Sequence, residues 1–246
     1  MMVELLAALQ FLTIFPPVIQ RPFTPGELGR SVGLYPLVGV ILGGALVGLA
    51  ALLMLAFSPA IAAALLLAAW VVSTRALHMD GFMDTCDGLF GGFTPERRLE
   101  IMRDSRVGAF GVAGEALLVL VKFALLAQLV SDFDYPALLL TPVIGRWAMT
   151  LAVVWFPYAR PSGMGREIKD NAGLPQFALA TLTMLLAAFL AASWMGLAAV
   201  GVSAAVVMLW LKYAGSKIPG LTGDIYGATC EIAEVLAMLL FAQHLL

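Results

Sequence analysis

Long apolar runs alternate with short polar segments along the whole chain. A helix needs about 20 apolar residues to cross the hydrocarbon core of a bilayer. Residues 31–57 supply one such run, and residues 59–77 a second, which opens on Pro59, a residue suited to a first helical turn. Residues 108–131 and 136–158 supply a third and a fourth. The run 175–214 is long enough for two spans, with a tight turn predicted at SWMG, 193–196. A last run covers 225–246. The pattern predicts an all-α, polytopic membrane bundle of about seven spans, six to eight being compatible with it, in one domain over 1–246. The apolar stretch before Pro16 is short for a span and predicts an interfacial or re-entrant helix. It has no basic region and no small-residue cleavage site, so it reads as retained rather than as a signal peptide.

Composition strengthens the membrane reading. Hydrophobic residues make up 61% and charged residues 12%, against about a quarter charged in soluble domains. A net charge of -2 without any basic run argues against nucleic acid as a partner. The 14 Lys/Arg residues give the chain a direction. With the segment before residue 31 placed on the cytoplasmic side, the loops at 78–107, 159–174 and 212–224 fall on that side too. They hold every loop Lys/Arg, whereas the loops near Ser58, Asp132 and Ser193 hold none, as the positive-inside rule requires. Seven spans then put the C-terminus on the opposite side.

Against this background the segment HMDGFMDTCDGLFGG, 78–92, stands out. Asp80, Asp84 and Asp87 are spaced i, i+4, i+7, which on a helix places them within an arc of about 60°. Three carboxylates on one face repel unless a cation lies among them. Hard oxygen donors suit Mg²⁺, Mn²⁺ or Ca²⁺ rather than zinc, and Mg²⁺ takes few protein carboxylates and completes its shell with water and phosphate oxygens. A phosphate-handling metal site at the membrane surface follows as the expectation, with the three aspartates as ligands. The bland alternative is a solvated acidic helix start; the apolar flanks Phe82, Met83, Leu89 and Phe90 weigh against it.

Residues 94–111, TPERRLEIMRDSRVGAFG, read as a helix capped by Thr94 with Pro95 at its first position. Arg103 and Arg106 are candidate phosphate-binding residues. Asp104 is a candidate ligand, base or orienter of these arginines. Gly88, Gly91 and Gly92 would let backbone approach a substrate. A second polar constellation, GLTGDIYGATCEIAEVL at 220–236, puts Asp224 and Glu231 on one helix face with Glu234 a turn away. Asp224 is a candidate catalytic residue and Glu231 a candidate substrate-binding one. Lys122, Arg146 and Glu115 are candidate intramembrane partners, because charge at bilayer depth is expensive. His78 is a candidate acid or base, and Cys86 and Cys230 read as packing residues.

The run HMDGFMDTCDGLFGG followed by ERRLEIMRDSRVGAFG resembles the signature of the cobalamin synthase (adenosylcobinamide-GDP ribazoletransferase) family. LYPLVGVILGG at 34–44 and GLTGDIYGATCEIAE at 220–234 extend the resemblance over most of the chain. Met79, Phe82, Met83 and Cys86 depart modestly from its pattern, and no acid is lost. The resemblance implies an Mg²⁺-dependent enzyme of the prokaryotic cytoplasmic membrane with its active site facing the cytoplasm. Its substrates would be adenosylcobinamide-GDP and α-ribazole, or the 5′-phosphate of the latter, and its by-product GMP. A homo-oligomer is left open. Two rival readings are a membrane phosphotransferase for nucleotide-activated lipids and a cation transporter. The transporter predicts acids spread through the membrane depth, whereas here they gather at one side.

Overall fold

A computed structural model describes residues 1–243, so the expected end of the last span at 244–246, and the side on which the chain ends, lie outside the described residues. Helix α1, Met2–Leu12, precedes α2, Pro25–Ser31, which opens on a capping box formed by Thr24 and Glu27. A single 3₁₀ turn leads from α2 into α3, Tyr35–Leu53. There follow α4, Pro59–Ser73; α5, Leu77–Gly91; α6, Pro95–Ile101; α7, Ala109–Ser131; α8, Tyr135–Trp155; α9, Met164–Asn171; α10, Leu174–Lys217; and α11, Gly223–Ala242.

Helix α8 is the axis of the bundle: it is buried from Leu138 to Val153 apart from the rim of Leu139. Helix α3 lies directly on it, because Gly39 and Gly43, one turn apart, expose bare backbone. A methyl at Gly39 would stand 2.6 Å from the Pro142 carbonyl oxygen, and one at Gly43 would strike Leu139. Small residues four apart let membrane helices approach where larger ones would hold them off.

Among the described residues five helices are long and apolar enough to cross a membrane, six if α4 and α5 together make one bent span. The 44-residue α10 is one of these, but it is a hairpin. Ser193 has φ 50° and ψ -131°, and Gly196 lies against the backbone of Ala188, eight residues earlier. Its start packs Phe177 on Trp155 at the end of α8, and its end offers the Lys217 carbonyl to Arg98 at 3.1 Å. The turn falls where SWMG predicts it.

Two features depart from the sequence pattern. The segment 94–111 forms α6 and the start of α7 rather than one helix. Asp104 accepts the Arg106 N–H at 3.0 Å, a local bond that competes with the helical ladder. Helices α4 and α5 meet at 87° through consecutive left-handed residues, Arg75 and Ala76. Arg75 secures this bend by donating to the Gln10 and Phe11 carbonyls of α1 at 2.9 and 3.1 Å.

Candidate active site

The site is built where α5 crosses the start of α11. Gly81 and Gly227 make the crossing, with no side chain between the helices. A methyl at Gly81 would stand 2.8 Å from the Asp224 carbonyl oxygen, and one at Gly227 would stand 3.1 Å from that of His78. The contact brings the two acidic segments together, so that Asp80, Asp84 and Asp224 gather at one end of the bundle. Asp80 is exposed and Asp84 partly buried, and neither has a side-chain hydrogen bond or ion pair among the described residues. Asp84 lies within electrostatic reach of Asp224, Asp80, Asp87 and Arg160.

The third aspartate of α5 is engaged by another helix. Asp87 is 7% exposed and accepts the backbone N–H of Gly108 at 2.7 Å and of Gly111 at 2.8 Å. Gly108 supplies no side-chain cap to α7, so Asp87 caps that helix from across the bundle, satisfying donors a helix start leaves open. Gly108 and Gly111 have to be glycines here, since a Cβ on either would collide with the Asp87 carboxylate.

The remaining expected residues are distributed as follows. Gly88 and Gly92 lie against α6, where added methyls would come within 2.6 Å of Met102 and Arg98 side-chain carbons. Gly91 borders an open cleft with Asp87, Arg97, Asp104 and Arg106. Arg106 forks onto Asp104, its Nη2 at 2.6 Å and its Nε at 3.0 Å, and this hydrogen bonding pulls the partly exposed Asp104 carboxyl down to about 2. Arg103 is exposed.

Deeper in the bundle lies a buried ionic cluster. Lys122 of α7 donates to Glu231 and, at 2.6 Å, to Glu234 of α11; Arg146 of α8 donates to Glu234. Arg146 is 0% exposed, and its Nη2 stands 3.5 Å from His78 Nδ1. Glu231 is thereby engaged inside the bundle. Glu115 makes no ion pair among the described residues, and its Oε2 is buried without a partner.

A cavity of about 210 Å³ opens beside the crossing, lined by Asp80, His78 and Asp224 together with Tyr35, Tyr226 and Met149. The position of Arg160 next to it is not visible in the sequence. Its Nη2 donates to Asp224 Oδ2 at 2.7 Å and to the Met102 carbonyl at 3.3 Å. A parallel bridge between Tyr158 and Leu221 aligns the two loops, with Ala159 N–H donating to Leu221 and Leu221 N–H to Pro157, both at 2.8 Å. Gly220, at φ 136°, permits the close approach. Burial raises the pKa of Tyr158, one of the two residues of this bridge.

Among the described residues no three His, Cys, Asp or Glu groups stand together as a preformed metal cage. Mg²⁺ rarely needs one: one or two carboxylates suffice when substrate phosphates complete the shell. Unpaired Asp80 and Asp84 beside Asp224 are a donor set of that kind.

Fold and site together define a polytopic helical membrane protein that gathers carboxylates and arginines at one end of its bundle. The chain matches the family described as cobalamin-5-phosphate synthase over residues 4–242 and belongs to it. It is 40% identical over 241 residues to the adenosylcobinamide-GDP ribazoletransferase of Desulfitobacterium hafniense, covering 96% of this chain and 95% of the relative. The protein of that name from Desulforamulus reducens is 39% identical over 240 residues, with 97% and 96% covered. The one from Stutzerimonas stutzeri is 40% identical over 235 residues, with 95% of each chain covered. No solved structure matches the chain.

Proposed function

We propose that the protein transfers the adenosylcobinamide-phosphate group from adenosylcobinamide-GDP to α-ribazole or its 5′-phosphate. The products are adenosylcobalamin, or its 5′-phosphate, and GMP. The observation that carries the reading is the α5–α11 crossing, which sets carboxylates from two distant sequence motifs on one cavity, in a chain that aligns end to end with relatives bearing that name.

Asp80 and Asp84 would hold Mg²⁺, which would supply positive charge for the diphosphate and the GMP leaving group. The chain's own residues supply the rest. Asp224 has one oxygen held by Arg160, which leaves the other to accept the proton of the attacking ribazole hydroxyl. As that hydroxyl bonds to the phosphorus of the aminopropanol arm, the bond to the GMP oxygen breaks. Arg103 and Arg106 attract phosphate charge to the same end of the bundle. Asp87 serves the site by holding the start of α7 against α5. The cytoplasmic membrane, with the site facing nucleotides in the cytoplasm, is the proposed location, supported by the Lys/Arg residues of the loops at this end.

The test is Asp84→Asn and Asp224→Asn in purified protein, with GMP release followed across a Mg²⁺ titration. Both should retain the wild-type fold and lose turnover by at least a hundredfold. Turnover near wild type in both would overturn the assignment.

A further inference from the structure

Helix α5 runs from one cavity to another. Asp80 and Gly81 line the cavity beside the α11 crossing, and Asp87 and Gly91 line the cleft between α6 and the start of α7. Asp84 lies between them, about 6 Å along the helix axis from Asp80 and about 4.5 Å from Asp87. The cleft has a volume of about 520 Å³, within the range of small-ligand sites. Arg97, Glu100, Asp104 and Arg106 all line it.

These charges do little for folding. Arg97 Nη1 lies 2.6 Å from Glu100 Oε2, and Arg106 Nη2 lies 2.6 Å from Asp104 Oδ2. The arginine side chains are 59% and 87% exposed, and ion pairs this exposed add little stability. The pairs instead hold charged groups ready around the cleft. A guanidinium carries more N–H donors than one carboxylate occupies, so Arg106 keeps donors for a phosphate, the ligand its planar fork suits. Glu100 has lone pairs beyond the one that Arg97 uses. Asp87 offers no free acceptor of this kind, since its oxygens receive the Gly108 and Gly111 N–H groups. Phe110, 52% exposed, adds an aromatic ring to the lining, and Phe90 braces it at 6.1 Å between centroids. An aromatic face beside cationic side chains is a platform for a nucleobase.

We propose that this cleft binds the guanosine 5′-phosphate portion of adenosylcobinamide-GDP, the part that leaves as GMP. The inference rests on the function proposed above and specifies where the leaving group sits. Guanine presents adjacent donors, its ring N1–H and its exocyclic amino group, and a carboxylate accepts both. Adenine has a bare ring nitrogen at the same place, and that lone pair repels a carboxylate. Glu100 reads the guanine edge, Phe110 stacks on the purine and Arg106 holds phosphate. Arg97 is a positioning residue that orients Glu100. With the base in the cleft, the phosphates extend along α5 toward Asp84, where the bond to the GMP oxygen breaks.

The test is calorimetric titration of GMP and of AMP into the purified protein in nanodiscs with Mg²⁺ present, alongside turnover. Wild type should bind GMP about tenfold more tightly than AMP, the worth of one charge-assisted hydrogen bond. Glu100→Gln should weaken GMP until the two nucleotides bind alike. It should also raise the KM for adenosylcobinamide-GDP about tenfold and leave the KM for α-ribazole unchanged. Arg106→Gln should weaken GMP and AMP by the same factor, so that the preference for GMP survives. The Glu100 and Arg106 side chains are 68% and 87% exposed, so neither variant should disturb the fold. No binding of GMP, equal binding of GMP and AMP by wild type, or a Glu100→Gln protein that keeps the wild-type preference would overturn the proposal. A wild type that prefers GMP yet forms no adenosylcobalamin would refute the proposed reaction and leave the nucleotide subsite standing.

Discussion

The three aspartates of α5 share one spacing but not one task, and Asp87→Asn separates them. Asp87 accepts two backbone N–H groups at 2.7 and 2.8 Å while 7% exposed. Asparagine keeps one acceptor oxygen and turns an NH₂ group toward the other donor. One charge-assisted hydrogen bond is lost, about 1.5–3 kcal/mol. Asp87→Ala loses both, roughly 3–6 kcal/mol on the same scale. Thermal unfolding in lipid nanodiscs, followed by tryptophan fluorescence, gives the order: wild type, then Asp87→Asn, then Asp87→Ala. Asp84 has no such partner, so Asp84→Asn should unfold with wild type while losing turnover. If Asp87→Asn unfolds at the wild-type temperature and instead requires much more Mg²⁺ for activity, Asp87 is a metal ligand first and the capping argument fails.

Other consequences are equally direct. Lys122→Met strands Glu231 in the bundle, Glu234 keeping its Arg146 partner, and should destabilise by about 3–5 kcal/mol in denaturant titrations, with much of this regained on adding Glu231→Gln. Gly81→Ala drives a methyl toward the Asp224 backbone and should cost about 1–3 kcal/mol while reducing turnover, since it parts the two acidic segments. Asp104, depressed to about 2 by Arg106, is a carboxylate whose folded pKa lies below its unfolded one. Any stability it lends is present above its ordinary range and is lost only as pH falls through about 2. It stays ionised in any neutral assay, so Asp104→Asn should leave both limbs of the pH–rate profile in place; a displaced acidic limb would contradict this.

Much of the architecture is legible as hydropathy. The apolar runs become helices, and SWMG becomes the turn of α10, because burial and the absence of water for exposed backbone leave a membrane chain few options. The pairing of Lys122 and Arg146 with α11 acids is also legible, since a charge in a span needs a partner. The α4–α5 bend is not, because Arg75 and Ala76 carry no glycine or proline signal and are held by contacts to α1, more than sixty residues away in sequence. Arg160 is invisible for the same reason: what joins it to Asp224 is a bridge between two loops. The spacing of Asp80, Asp84 and Asp87 reveals a shared face but not that Asp87, one turn beyond Asp84, meets the start of α7 and is used there.

The most direct measurement is the reaction itself. Purified wild-type protein in nanodiscs is given adenosylcobinamide-GDP, α-ribazole and Mg²⁺, and both products are quantified by mass spectrometry. The account predicts GMP and adenosylcobalamin in equal amounts, with neither formed when α-ribazole is omitted. GMP released without α-ribazole, or an unchanged corrinoid in the complete mixture, would contradict it.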